Sequence, residues 1–172
     1  FIYTNFQTGK SYIVTNRHVV AQADYATIEF QYSEKPAVKF DNCPIVAVDE
    51  QVDLALIELP SDANLSKGLK IRESLPEEGS EVITAGFPGV GDTPSWQFGQ
   101  GVVANNSVFD KILVGNSTIG AIQHTAQVDA GSSGGPLLVK NKNGEYEIVG
   151  VNAWKIKDRE SANFAIASKA LN

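Results

Sequence analysis

A single cysteine, Cys43, stands in the 172 residues, so the chain closes no internal disulfide and builds no cysteine-rich metal site. That argues against an animal-style secreted enzyme stapled by disulfides, but not against a bacterial envelope. Basic residues are outnumbered. The 14 Lys and Arg against 20 Asp and Glu leave a net charge of -6, and a nucleic-acid binder would show a basic face instead. No apolar run approaches the ~18 residues of a membrane span. Histidine is scarce: His18 and His124 are distant and offer no ligand cluster, so neither a metal nor a cofactor is expected. The chain opens on Phe1 rather than Met. It reads as a trimmed or processed piece, with any targeting segment outside it.

What the sequence does have is short β-type runs. SYIVT (11–15), ATIEF (26–30), AVKF (37–40), PIVAV (44–48) and LALIEL (54–59) come first. EVITAG (81–86), GVVA (101–104), KILVG (111–115), PLLVK (136–140), YEIVGV (146–151) and FAIA (164–167) follow. They are Val/Ile-rich, four to six residues long and separated by Gly, Pro, Asn and Asp, the pattern of an all-β sandwich or barrel. Helical signals are limited to a turn at RHVVAQ (17–22) and a start at SKALN (168–172). The polar stretch 61–80 reads as a connector between two β modules, 1–60 and 81–172, and 88–97 as a surface loop. The length suits one domain with a real core.

VDAGSSGGPLLV (128–139) sets two serines between glycines. Gly and Ser suit a tight turn into a strand for steric and hydrogen-bonding reasons alone. Equally, the segment could present an acyl-transfer nucleophile. His18, at the end of IVTNRHVV, and Asp53, at the head of DLALIEL, each read singly as structural residues. Together with a serine they supply base, orienter and nucleophile once each, in the cleft between the modules. Oxyanion donors in such a site are the nucleophile's own N–H and that of the residue two before it. With Ser133 the second donor is Gly131; with Ser132 it would be Ala130, so Ser133 is the better nucleophile.

TNRHVV, DLALIEL and GSSGGPLL resemble the His, Asp and Ser motifs of trypsin/chymotrypsin-fold serine proteases, with the bacterial HtrA (DegP-like) branch the closer match. GFPGVGDTPSWQFGQGVV (86–103), IQHTAQVDAGSSGGPLL (122–138), IVGVNAW and NFAIAS are similar to further segments of that branch. The resemblance implies two six-stranded-type antiparallel β-barrels with the active site between them, the first barrel here lacking its leading strands. It implies a serine endopeptidase acting on polypeptides through His18, Asp53 and Ser133, with Gly131 and Ser133 as oxyanion donors. Protein quality control or stress, a periplasmic, envelope or secreted location and a possible homo-oligomer follow from the same resemblance. Ser132 stands where the branch usually has Asn, and Ala130 where it often has Pro. Gln127 occupies the position at which Lys/Arg-cleaving relatives carry Asp. Val128, Asn152, Ala153 and Ala165 fall at pocket-wall positions, implying an uncharged pocket for a small or medium side chain.

Other residues take plainer readings. His124 is a structural strand histidine, Asp129 a turn or solvent-facing acid, and Cys43 an inert thiol. Trp96 and Trp154 are packing or cleft-wall aromatics. Two rival functions remain: a catalytically silent protease-fold binding module, and an α/β-hydrolase esterase. The esterase would want Ser before the acid and a helix after it, whereas here the serine comes last and a strand follows.

Overall fold

A computed structural model describes residues 1–5, 7–63, 65, 68–90, 93–108, 120–155 and 162–171. The expected strand at 111–115 lies outside them. Five strands form a first antiparallel sheet: β1 (Ile2–Thr4), β2 (Ser11–Asn16), β3 (Tyr25–Phe30), β4 (Val38–Asp49) and β5 (Leu54–Glu58). Their order is β1-β2-β5-β4-β3, and among the described residues the sheet is open at both edges. Period-two alternation shows in β3, where Ala26, Ile28 and Phe30 turn inward while Tyr25, Thr27 and Glu29 face out. The inward residues pack on Cys43, Ile57 and Leu59.

The second module closes. It comprises β6 (Lys70–Ile71), β7 (Glu81–Gly86), β10 (Gln97–Val108), β11 (Ala121–His124), β12 (Pro136–Lys140), β13 (Tyr146–Lys155) and β14 (Asn163–Ala167). Strands β12, β7, β10, β11, β14 and β13 run around in that order, and β12 pairs with β13 to complete a six-stranded barrel. The expected connector contributes β6, which adds to β13 in parallel, Glu147 opposite Lys70. A hairpin of β8 (Gly89–Val90) and β9 (Thr93–Pro94) lies within the expected loop at 88–97. Strand β14 is buried throughout because both of its faces are covered. Ala165 and Ala167 enter the barrel core with Val82, Val103, Ile122 and Leu137.

Ile166, on the other face, joins Val151 and Ala153 against Val14, Val52 and Leu54 of the first module. This apolar seam sets the two modules side by side, bringing the ends of β2 and β5 to the end of β13. Among the described residues there are two short helices, α1 (Arg17–Val20) and a 3-10 turn at Ser168–Leu171. Among the described residues, no helix is long and apolar enough to cross a membrane.

Candidate active site

Strand β2 ends at Asn16, and α1 begins at once with Arg17 and His18. Asp53 holds this junction from the turn before β5. One carboxylate oxygen accepts the His18 backbone N–H at 2.9 Å, and the other lies 2.6 Å from His18 Nδ1. The Asp53 carbonyl accepts from Arg17 N–H and from the Asn16 side-chain amide, each at 3.1 Å. Asp53 itself has φ 55, a left-handed conformation uncommon outside glycine though tolerated by Asp. Four contacts hold it there. With Nδ1–H directed at the carboxylate, the neutral ring presents Nε2 as its acceptor. The Asp53 side chain is 18% exposed and that of His18 46% exposed, so the acid is shielded while the base stays accessible.

The two serines part company in the turn ahead of β12. Ser132 is buried, and its hydroxyl accepts the Asp129 N–H at 3.1 Å. Its own N–H donates to the Asp129 carbonyl at 2.9 Å, closing a turn whose third residue, Gly131, has φ 96. A positive φ at that position is the type II geometry and favours glycine. The Ser133 hydroxyl is half-buried and donates to the Ala153 carbonyl at 3.3 Å. Among the described residues, the amides of Ser132, Gly134 and Gly135 are all hydrogen-bonded within the protein, whereas those of Gly131 and Ser133 are not. Two free N–H groups therefore flank one occupied one.

Beyond the serines, the turn is laced to β13. Gly134 N–H donates to the Asn152 carbonyl at 2.8 Å, Asn152 N–H to Gly135 at 2.9 Å, and the Asn152 side chain to Pro136 at 3.2 Å. Gly134, with φ 82, lies hard against Thr15: a Cβ there would come within 3.1 Å of the Thr15 Cα. Thr15 is three residues before His18. The serine turn and the His18 junction are thus packed against each other, although among the described residues no direct hydrogen bond joins Ser133 to His18.

The pocket-wall residues scatter more widely. Val128, Asn152, Ala153 and Ala165 are all buried. Ala165 lies in the barrel core and Ala153 in the seam between modules. Gln127 is exposed, and its amide donates to Asp129, which also accepts from Gln97 at 2.6 Å. None of these five lines the cleft of about 590 Å³ that Gly131, Ser132 and Ser133 do line. That cleft runs instead to Phe87, Trp96 and Phe98. The sequence marks Trp96 only as a packing or cleft-wall aromatic, and nothing in its spacing pairs it with Phe87.

Three residues lie outside the chemistry. His124 is fully buried, and burial pushes its pKa down to about 4. The Asn152 side chain and the Ala126 backbone face it and oppose that shift only in part, since neither ring nitrogen has a hydrogen bond of ordinary length. Cys43 sits in the first core, its thiol pushed up by burial and by the nearby Asp41 carboxylate. Asn16 serves by position, clamping the Asp53 carbonyl.

Residues 3–151 match the model of the trypsin-like peptidase domain. The chain belongs to that family. It is 34% identical over 167 residues to the serine protease Do-like HtrA of Bacillus subtilis (strain 168), covering 94% of this chain and 35% of that protein. It is 30% identical over 149 residues to the probable periplasmic serine protease do/HhoA-like of Haemophilus influenzae, covering 83% of this chain and 28% of the relative. This trypsin-like domain thus spans about a third of the length of those curated relatives. Among solved structures, the HtrA-type protease AlgW with decapeptide has a TM-score of 0.71 at 24% identity, over 92% of this chain and 45% of that one. The active form of the Rv3671c protease from M. tuberculosis gives 0.69 at 23%, over 97% and 66%. At such identities the structural likeness concerns the fold: one closed six-stranded barrel beside a partial sheet.

Proposed function

We propose that this domain is a serine endopeptidase in which Ser133 is the nucleophile, His18 the general base and Asp53 its orienter. The observation that carries the reading is the pair of free amides, Gly131 and Ser133, in a type II turn packed against the junction where Asp53 grips His18. Those amides are the oxyanion donors, each worth about 3–4 kcal/mol in comparable sites. The hydroxyl turns from Ala153 toward His18, and Nε2 takes its proton as Oγ bonds to the scissile carbonyl carbon. Asp53 stabilises the resulting imidazolium. The imidazolium then gives that proton to the departing amine, and water, deprotonated by the same ring, releases the acyl group.

Polypeptides are the substrates, consistent with the decapeptide that accompanies AlgW, a neighbour in fold. Gln127 supplies no negative charge for a basic side chain, so the residue before the scissile bond is small or medium and uncharged, with Asn152 and Ala153, beside the Ser133 hydroxyl, as walls; Ala165, inside the barrel core, is not one. The envelope or the exterior is the location, by likeness to a relative named as periplasmic. Protein quality control or stress as the role, and a homo-oligomer, are what the sequence resemblance to the HtrA branch implies.

One observation favours a silent binding module instead: the Ser133 hydroxyl rests on Ala153 rather than on His18. Catalytic hydrogen bonds commonly tighten only once substrate is bound. Hydrolysis of unfolded casein and of chromogenic peptides by the full-length protein decides between the two. The endopeptidase reading expects Ala or Val before the bond to be cleaved faster than Lys or Arg. It also expects Asp53→Asn to lower the rate by roughly 10⁴-fold. Binding without cleavage would favour the silent module.

A further inference from the structure

Phe87 and Trp96 form an edge-to-face pair with ring centroids 5.2 Å apart, yet they are 38% and 60% exposed. The pair stands between two hollows. On one side is the cleft lined by Gly131, Ser132 and Ser133. On the other is a hollow of about 500 Å³, reached by Gln31, Tyr32 and Ser33 of the first module. Among the described residues, neither hollow is lined by a charged side chain, in a chain of net charge -6. Aromatic surface kept this open costs solvation, and its continuity with the serine turn ties it to whatever binds there.

We infer that Phe87 and Trp96 form a substrate subsite for an aromatic or large aliphatic side chain on the leaving-group side of the scissile bond. The inference rests on the endopeptidase reading and deepens it. The side follows from the surroundings of Ser133. Its hydroxyl touches β13 at Ala153, which with the adjacent Asn152 is assigned to the acyl-side pocket, and neither residue lines this cleft. A peptide whose carbonyl oxygen sits at the Gly131 and Ser133 amides and whose acyl part follows β13 directs its departing part away from Ala153. Away from Ala153, Ser133 opens onto the cleft that Trp96 also lines. The rings offer an apolar, edge-and-face surface on which an aromatic or branched side chain loses water without meeting a charge.

The test uses fluorescence-quenched peptides that are identical up to the scissile bond and carry Phe, Leu, Ser or Asp at the first two positions after it. The full-length protein is expected to cleave the Phe and Leu peptides with kcat/KM at least about tenfold above Ser and Asp. In Trp96→Ala that ratio collapses toward one, and in Trp96→Phe it largely returns. Trp96 is a surface side chain outside every core cluster, so the alanine variant folds. A flat series in the unsubstituted protein would overturn the inference, as would a preference that survives Trp96→Ala. Binding of the same peptides to Ser133→Ala is measured in parallel, by anisotropy. Should nothing be cleaved, aromatic-dependent binding lost in Ser133→Ala/Trp96→Ala would keep the subsite while the hydrolase reading fell. Equal binding by both proteins would remove the subsite.

Discussion

Ser132 and Ser133 are adjacent and chemically identical, and their surroundings separate them. The hydroxyl of Ser132 is buried and spent inside its own turn on the Asp129 N–H, whereas that of Ser133 is half-buried and donates outside the turn, to the Ala153 carbonyl. Ser132→Ala therefore loses one neutral hydrogen bond and about 1 kcal/mol of stability, read by urea denaturation, while hydrolysis persists. Ser133→Ala folds as before and loses at least about 10⁴-fold in rate. The glycine spacing by itself points to Ser133, because only Gly131 suits the position two before it. Spacing does not show the Ser133–Ala153 contact or the clamp on Asp53. Both depend on neighbours distant in the chain.

At the scale of elements, the serine turn is held by strands on both sides, and Gly134 is its tightest point. A methyl group there meets Thr15, and φ 82 adds strain for any L side chain. Gly134→Ala should cost at least about 2 kcal/mol in denaturant unfolding, and hydrolysis should fall with it as the turn is pushed off the β2 end. Strands are legible in the sequence wherever apolar residues alternate, as Ala26, Ile28 and Phe30 do in β3, or run together, as Leu137, Leu138 and Val139 do in β12. Boundaries are not. AVKF and PIVAV read as two strands split by Asp41, Asn42 and Cys43, but β4 runs from Val38 to Asp49 as one. The register slips there, with Ala26 opposite Cys43 and Ile28 opposite Phe40. Asp41 and Asn42 thus face the single Thr27 across a bulge, and Asn42 takes φ 57 to make it. A turn-like dipeptide can serve a bulge as well as a loop. The aromatic pair is hidden from the sequence for a related reason, since exposure of Phe87 and Trp96 is set by the hairpin between them and not by periodicity.

For the whole molecule, the seam between modules decides whether the two halves of the site meet. Ile166, 1% exposed, packs there against both modules. Ile166→Ala should cost about 2–5 kcal/mol, with hydrolysis falling more steeply on warming than in the parent protein. Acid should also loosen the fold through His124. Its folded pKa, about 4, lies below the ordinary 6.5, so between those values the unfolded chain binds a proton that the folded one refuses. The stability from keeping it neutral is complete above about pH 6.5 and is lost as pH falls toward 4, a total of about 3 kcal/mol. Urea midpoints measured from pH 7 to pH 4 should fall more steeply for the parent than for His124→Gln.

The central claim, an activated Ser133 beside a formed oxyanion site, is tested most directly by fluorophosphonate labelling of the full-length protein, located by peptide mass spectrometry. An adduct is expected on Ser133, absent in Ser133→Ala and strongly slowed in His18→Ala. An adduct on Ser132, or none on the folded protein, would contradict it.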